Sequence, residues 1–419
     1  MSKKSQFKPC KQFSKQVSNV NLLISRVFTN VNLSFCLKMV KFDSCKLFLK
    51  MNFEQIYSQT PDFSNRYISP EKLFSYLQTN LSDYIKEVGT SYLDKPIYQL
   101  SIGTGNIQIL AWSQMHGNES NATHAMLDLL KSLDKALELK EDLFSKISLD
   151  FIFMLNPDGS EKWTRLNASE IDLNRDFHNE ASKEIKFLKN MATSKKYDYA
   201  LNLHEQRTIF TTDGIHPATL SFLAPSENVE RTVTDNRKKC MAVIADVYNH
   251  LKELIPNQIG RYSDEFYPTS TGDNFIKAGM PTILFEGGHF ADDYSRKETR
   301  KYYTIALYYA LKSISELDSD ITGWEAYQEI PENQETHYDV VYRNVKLNTD
   351  HECILDIAVQ YREVYEEGKD EISFIPFVIE AGDVKKRKGW LEIDCTGKKY
   401  ISDTKYPKLD AEINFKIED

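Results

Sequence analysis

The run Ile107-Gln108-Ile109-Leu110-Ala111-Trp112 is apolar except for Gln108 and reads as a mostly buried strand. Four residues beyond it stands His116-Gly117-Asn118-Glu119. Then Ala122, Ala125, Met126, Leu129, Leu130 and Leu133 recur at helical spacing, with Ser120 or Asn121 placed to cap the helix start. A buried strand that turns directly into an amphipathic helix is the unit from which α/β sheets are built. The turn lies at the carboxyl end of the strand, where open α/β sheets hold their ligands. An imidazole and a carboxylate three residues apart in such a turn can grip one Zn2+ ion, and a catalytic zinc needs one more protein ligand and an open position for water.

The same grammar repeats along the chain. Ile97–Ile102 is a strand, and Gly103-Thr104-Gly105-Asn106 reads as the turn of a hairpin with the Ile107 strand. Leu149–Leu155 is a buried strand running into the sharp turn Asn156-Pro157-Asp158-Gly159, followed by a polar loop from Ser160 to Ile171. Tyr197–Leu203 is a strand ending at His204, and Pro281–Phe285 is a strand ending at Glu286. Helices are expected over Phe53–Lys86, opened by Pro70-Glu71, over about 121–139, and over Ser182–Ala192, Lys238–Leu254 and Arg296–Leu317. This alternation predicts an α/β sheet covered by helices on both faces. His116, Glu119, Asn156, His204 and Glu286 all follow strands directly, so one edge of such a sheet would gather them. From about Trp324 the pattern changes to short strand-like segments, Val340–Tyr342, Cys353–Val359, Ile372–Ile379 and Ala411–Ile417, which predict a small all-β domain over 325–419.

Charge is unevenly placed. The whole chain carries −9, but residues 1–50 hold ten Lys/Arg against one acid, Asp43, so the rest carries −18. That balance speaks against a general nucleic-acid binder. No apolar run has the length to span a bilayer. The first 50 residues lack helical or strand periodicity and lack a secretory pattern, so they are expected to be a disordered extension or upstream sequence joined ahead of a start at Met51. The cysteines of the body, Cys240, Cys353 and Cys395, are widely spaced and odd in number, as expected for reduced thiols in the cytoplasm.

With these pieces placed, the chain resembles the zinc carboxypeptidase family, of the carboxypeptidase A type, over about Tyr98 to Leu317. That family's zinc pair matches His116 and Glu119, and its second histidine matches His204 in Leu201-Asn202-Leu203-His204. Its Asn-Pro-Asp-Gly turn stands at Asn156 to Gly159. Its carboxylate-binding Asn-Arg pair matches Asn174 and Arg175, its oxyanion arginine Arg165, and its general base Glu286. The capping phenol has candidates in Tyr267 and Tyr262. The resemblance implies a mixed, mostly parallel twisted sheet with helices on both faces over 51–324, one zinc ion, and release of C-terminal residues from peptides. Asp158 is expected either to orient a ligand histidine or to shape its turn. Side-chain preference is expected to be set near Thr271, Gly272 and Asp273.

Two alternatives stay open. His-Gly-Asn-Glu and Asp-Leu-Asn-Arg are also similar to the related acylases, aspartoacylase and succinylglutamate desuccinylase, which hydrolyse N-acyl amino acids and carry a β-rich C-terminal domain. An amidase acting on muropeptides is the other. The β domain is expected either to bind or gate at the active-site mouth or to stabilise the rest.

Overall fold

The computed structural model describes residues 52–317 and 321–419. Residues 1–50, and with them the expected N-terminal extension, lie outside the described residues. Chain contacts separate Met1–Gln55 from one compact unit, Ile56–Asp419, which is the body described below.

The body opens with helix α1, Pro70–Asn80. Ser69 caps it by accepting from the Lys72 N–H, and Pro70, which lacks the N–H that would be orphaned, fills its first turn. The helix expected to continue to Lys86 gives way to a strand, β1 (Ile85–Thr90), in which Ile85, Val88 and Thr90 favour the extended state. β1 pairs antiparallel with β2 (Pro96–Ile102). The expected hairpin between β2 and β3 (Ile107–Ser113) does not form. β4 (Ile147–Phe153) lies between them, antiparallel to β2 and parallel to β3. The two glycines of the turn have a packing reason. A Cβ on Gly103 would sit 2.2 Å from the Ile147 carbonyl oxygen, and one on Gly105 would sit 1.8 Å from the Lys146 carbonyl carbon, so the turn is wrapped against the entry to β4.

The large sheet has eight strands in the order β1-β2-β4-β3-β5-β9-β7-β8, with β5 at Tyr199–Glu205, β7 at Leu220–Leu223, β8 at Ile259–Arg261 and β9 at Thr282–Gly287. Its four central strands, β4, β3, β5 and β9, run parallel. The buried centre explains their apolar character. Leu110, Trp112, Ile152 and Ala200 share a core with Ile185 and Leu188 of α5 (Lys183–Ser194) and Phe275 of α7 (Thr271–Lys277). The other face is covered by α2 (Asn121–Leu133), α6 (Asp235–Leu251) and α8 (Lys297–Glu316). The helix expected over 121–139 stops at Leu133, and α3 (Leu137–Lys146) starts separately. Between β4 and α5, the Asn-Pro-Asp-Gly turn is the start of a short helix, α4 (Pro157–Lys162). Asn156 caps it by accepting from the Gly159 N–H. The fold is therefore a mixed α/β sheet with helices on both faces.

After the short helix Trp324–Glu329, every regular element is a strand. β11 (His337–Lys346), β12 (Ile354–Tyr365), β13 (Ile372–Gly382), β14 (Lys388–Asp394) and β16 (Ala411–Glu412) make a five-stranded sheet, and β15 (Lys399–Ser402) pairs with β17 (Phe415–Glu418). Val340, Val345, Val359, Val378, Tyr400 and Phe415 form its own core. It is stitched to the α/β part where β10 (Gln334–Glu335) pairs with β6 (Phe210–Thr211). Aromatic contacts join it too: Tyr365 stacks on Tyr67 at 4.3 Å, and Trp390 meets His289 edge-on at 4.9 Å.

Two buried groups give tests of this framework. Asp128 of α2 takes Arg300 Nε and Nη2 at 2.6 Å each and the Thr60 N–H at 2.7 Å, with Tyr57 Oη at 3.1 Å. Asp128→Asn leaves a buried guanidinium without its counter-charge, and is expected to lower the unfolding free energy by about 3–5 kcal/mol in urea denaturation. His289 is buried, and burial, with Arg296 and Arg66 nearby, pushes its pKa from 6.5 down to about 3. The unfolded chain therefore binds the proton more readily, and stability is present above the unfolded value and falls as pH drops from 6.5 toward 3. His289→Phe keeps the ring contacts and is expected to flatten that acid limb in unfolding curves.

Candidate metal centre and active site

The parallel register of three strands builds the site. Ser113 of β3 pairs with Leu203 of β5, and His204 pairs with Glu286 of β9. The carboxyl ends of these strands thus stop level, and the loop after β3 folds back over them. This loop is zipped to the one after β4. The Leu155 N–H donates to Ser113 O and the Asn156 N–H to Gln114 O, each at 3.0 Å, and Gln114 Nε2 donates to Ser160 Oγ at 2.9 Å. Gly117 is required there, because a Cβ would lie 2.0 Å from the Gly159 carbonyl carbon. His-Gly-Asn-Glu and Asn-Pro-Asp-Gly are therefore one packed unit.

His116, Glu119 and His204 are buried and point one ligand atom each at a common spot, all within 4.8 Å of one another. His116 Nδ1 lies 2.8 Å from Glu119 Oε1, and His204 Nδ1 lies 2.9 Å from Glu119 Oε2. The two Nδ1 atoms are 3.2 Å apart. The other ring nitrogen of His116, Nε2, faces Asp172 Oδ1 at 3.2 Å. A carboxylate there holds the proton on Nε2 and leaves Nδ1 a bare lone pair aimed at its neighbours. Buried lone pairs converging on one spot fit a cation, and two imidazoles with one carboxylate suit zinc.

The electrostatics follow from burial and proximity. Burial resists ionisation of Glu119, but His116 and His204 hold its carboxyl well below the ordinary range. Burial pulls His204 down, whereas for His116 burial is outweighed by Glu119 and Asp172, which pull it up. Glu286 is pushed well above the ordinary carboxylate range by burial first and by the negative Glu119 next.

All of the expected site residues line one cavity of about 380 Å³: His116, Glu119 and His204, then Glu286 and Arg165, then Asn174, Arg175 and Tyr267. Arg165 is pinned by Asp172, whose Oδ2 lies 3.0 Å from both its Nε and its Nη2, and its Nη1 stands 3.2 Å from His116 Nδ1. Asn174 is buried and its Oδ1 accepts from the Thr271 N–H at 3.0 Å, which ties the Asn-Arg turn to α7. Arg175 is exposed, with its guanidinium 5.6 Å from the Tyr267 ring. Tyr267 is 53% exposed. Tyr262 lines the same cavity, and burial together with Glu286 pushes its phenol up. Asp273, from the stretch expected to set side-chain preference, lines it as well, while its Oδ1 accepts from the Tyr267 N–H at 3.0 Å.

Some assignments change. Asp158 does not orient a histidine: its carboxylate accepts from Ser91 Oγ at 2.8 Å and the Leu93 N–H at 2.9 Å, and so ties α4 to the loop between β1 and β2. Asp172 stands against the histidine instead. It lies two residues before Asn174 in Asp-Leu-Asn-Arg, a position sequence reading passed over. Ser120 makes no side-chain cap; its Oγ donates to Arg66 O at 2.6 Å, and the Asn121 N–H goes to Glu205 Oε2 at 3.1 Å. Glu205, Gln206 and Arg207, which continue past His204 into the cavity wall, also went unnoticed.

Residues 71–212 match the family model described as zinc carboxypeptidase. Over that segment, about a third of its length, the chain is similar to the zinc carboxypeptidase family. The matched segment holds His116, Glu119, Arg165, Asn174, Arg175 and His204, and ends before Tyr267 and Glu286. Among solved structures, similar chains include the metallo-carboxypeptidase of Burkholderia cenocepacia, with 16% identity over 59% of this chain and 69% of that one at a TM-score of 0.47. Carboxypeptidase A of Helicoverpa armigera shows 15% identity over 73% and 87%, at 0.48. Bovine thrombin-activatable fibrinolysis inhibitor, solved with tick carboxypeptidase inhibitor, shows 16% over 59% and 97%, also at 0.48. No curated protein matches the chain.

Since Gly117 is pressed against Gly159, Gly117→Ala must displace the loop that carries His116 and Glu119. We expect it to lower zinc content after dialysis at least tenfold relative to the parent, read by atomic absorption, while the far-ultraviolet circular dichroism stays unchanged.

Proposed function

We propose that the protein is a zinc-dependent metallocarboxypeptidase that hydrolyses the C-terminal amide bond of peptides. The observation that carries this reading is the meeting of His116, Glu119 and His204 with Glu286, Arg165 and Arg175 around one cavity. His116 and His204, each through Nδ1, and Glu119 would hold one zinc ion. Such an ion, when bound, supplies Lewis acidity that acidifies a water and polarises a carbonyl.

The chain's own groups do the rest. Arg175, a planar fork at the open side of the cavity, binds the terminal carboxylate and orients the last residue, with Asn174 beside it. Arg165, fixed by Asp172, donates to the oxygen of the scissile carbonyl as negative charge builds on it. Glu286 takes a proton from the attacking water and hands it to the leaving amine nitrogen as the C–N bond breaks. Tyr267 or Tyr262 closes over the bound residue. The cysteines among the described residues, Cys240, Cys353 and Cys395, are free thiols, which suits a reducing cytoplasm. Among the described residues no helix is long and apolar enough to cross a membrane.

The test is hydrolysis by the zinc-loaded protein of dipeptides and short peptides, set against N-acetyl and N-succinyl amino acids and a muropeptide. Release of C-terminal residues is expected. Glu286→Gln should cut kcat by about 10²–10⁴ while retaining zinc. Turnover of acyl amino acids alone would move the protein to the acylases, and turnover of the muropeptide alone to the amidases.

A further inference from the structure

The all-β region sends one side chain to the wall of the active-site cavity. Glu363 of β12 is largely but not fully buried, with Oε1 2.7 Å from Arg66 Nη1 and 3.1 Å from Arg207 Nη1, and Oε2 accepting from Trp163 Nε1 at 2.9 Å. Arg207 lines the cavity. Its Nη1 also lies 3.3 Å from Glu205 Oε1, so one nitrogen serves both carboxylates, while Nε and Nη2 have no hydrogen-bond partner. Arg66 and Arg207 flank the Trp163 ring, each 5.8 Å from its centroid. Glu205 completes the cluster by taking Arg66 Nη2 at 2.5 Å and standing 3.5 Å from Arg296 Nε. Its backbone N–H donates to Glu119 Oε2 at 3.2 Å, one step from the metal spot.

A guanidinium at a cavity wall, held at one nitrogen while its other two are buried without a partner, has hydrogen-bonding capacity that an oxygen of a bound ligand can take up. Its direction is set by its counter-charges. Glu205 alone is shared among three arginines, and Glu363 is the second anion that makes their burial tolerable. Burial opposes ionisation of Glu363, but Arg207, Arg66 and Arg296 together hold its carboxyl below the ordinary range. We propose that Arg207 binds an oxygen of the peptide substrate and that Glu363, supplied by the all-β region, is the positioning residue that fixes Arg207 for this contact. The inference rests on the peptidase reading above and extends it: the all-β region is part of the active site, and the contact is made 156 residues upstream of the side chain that positions it.

The test is a double-mutant cycle on the zinc-loaded full chain, using the best peptide of the panel. Arg207→Gln is expected to raise KM about tenfold with kcat within about twofold of the parent. Glu363→Gln, which keeps the volume and a partner for Trp163, should do the same, and Glu363→Asp should recover part of the loss. The double variant should show no further rise, because both changes remove one interaction. Zinc content is expected to stay at the parent level in all of them. Additive KM effects, or a fall in Tm for Glu363→Gln with KM unchanged, would overturn the proposal. Binding of a non-hydrolysed peptide analogue, followed by tryptophan fluorescence, gives a readout that does not need turnover: a tenfold loss of affinity in Arg207→Gln supports the contact and parent-like affinity defeats it. If the parent itself hydrolyses no peptide, the peptidase reading fails separately from this inference.

Discussion

The level ending of β3, β5 and β9 is the constraint on which everything at this site depends. Parallel strands in fixed register present their carboxyl ends as a row, and any residue one step beyond the row is carried to within a few ångströms of its neighbours. His204 and Glu286 are register partners, and the loop after β3 needs only the six residues Gln114 to Glu119 to bring His116 and Glu119 over them. A slip of one residue in β5 would turn His204 to the opposite face, so the burial of Leu201 and Leu203 on one side and Asn202 on the other is what aims the ligand. The apolar core thereby does chemical service: it fixes the register, and the register fixes the metal spot.

The residues that converge are hard to keep in the same place. Two imidazole nitrogens 3.2 Å apart beside a carboxylate, with a second carboxylate on the adjacent strand, crowd lone pairs and charge into a largely buried place. The protein meets the cost from outside the set. Asp172 binds both His116 and Arg165, so one carboxylate orients a ligand and holds a cation beside it. The close packing of Gly117 on Gly159 fixes the loop that carries two of the ligands. These supports fix the geometry of the three groups at the end of the cavity.

What the sequence made legible was local. His116, Glu119, His204 and Glu286 could be found because each follows an apolar run with strand period, and the strand-to-helix turn at 113–121 has a short-range signal. Arg165, Asn174 and Arg175 came through resemblance alone, since a polar loop has no period to read. Pairing between strands was less legible. The turn at 103–106 has the composition of a hairpin, and only the close approach of Gly103 and Gly105 to the backbone at 146–147 shows that β4 lies between. The helix over 121–139 was broken by Asp134 to Ala136, where periodicity in one window could not tell one helix from two. Glu363 had no local signal at all. It is an acid on a charged strand, and its meaning appears only when the fold sets it against arginines from two distant loops.

That last case bears on why an all-β region follows the α/β core. The seam between them is not a greasy contact alone. It sets three guanidiniums, the buried Arg66 and Arg296 and the partly exposed Arg207, against two carboxylates, one from each side. Removing either carboxylate leaves buried positive charge uncompensated, which costs far more than an exposed ion pair contributes. A region that only stabilised the core could do so through apolar area. Placing an obligatory anion on it makes the geometry of the cavity wall depend on its docking, so that an arginine facing the substrate is correctly set only in the assembled molecule.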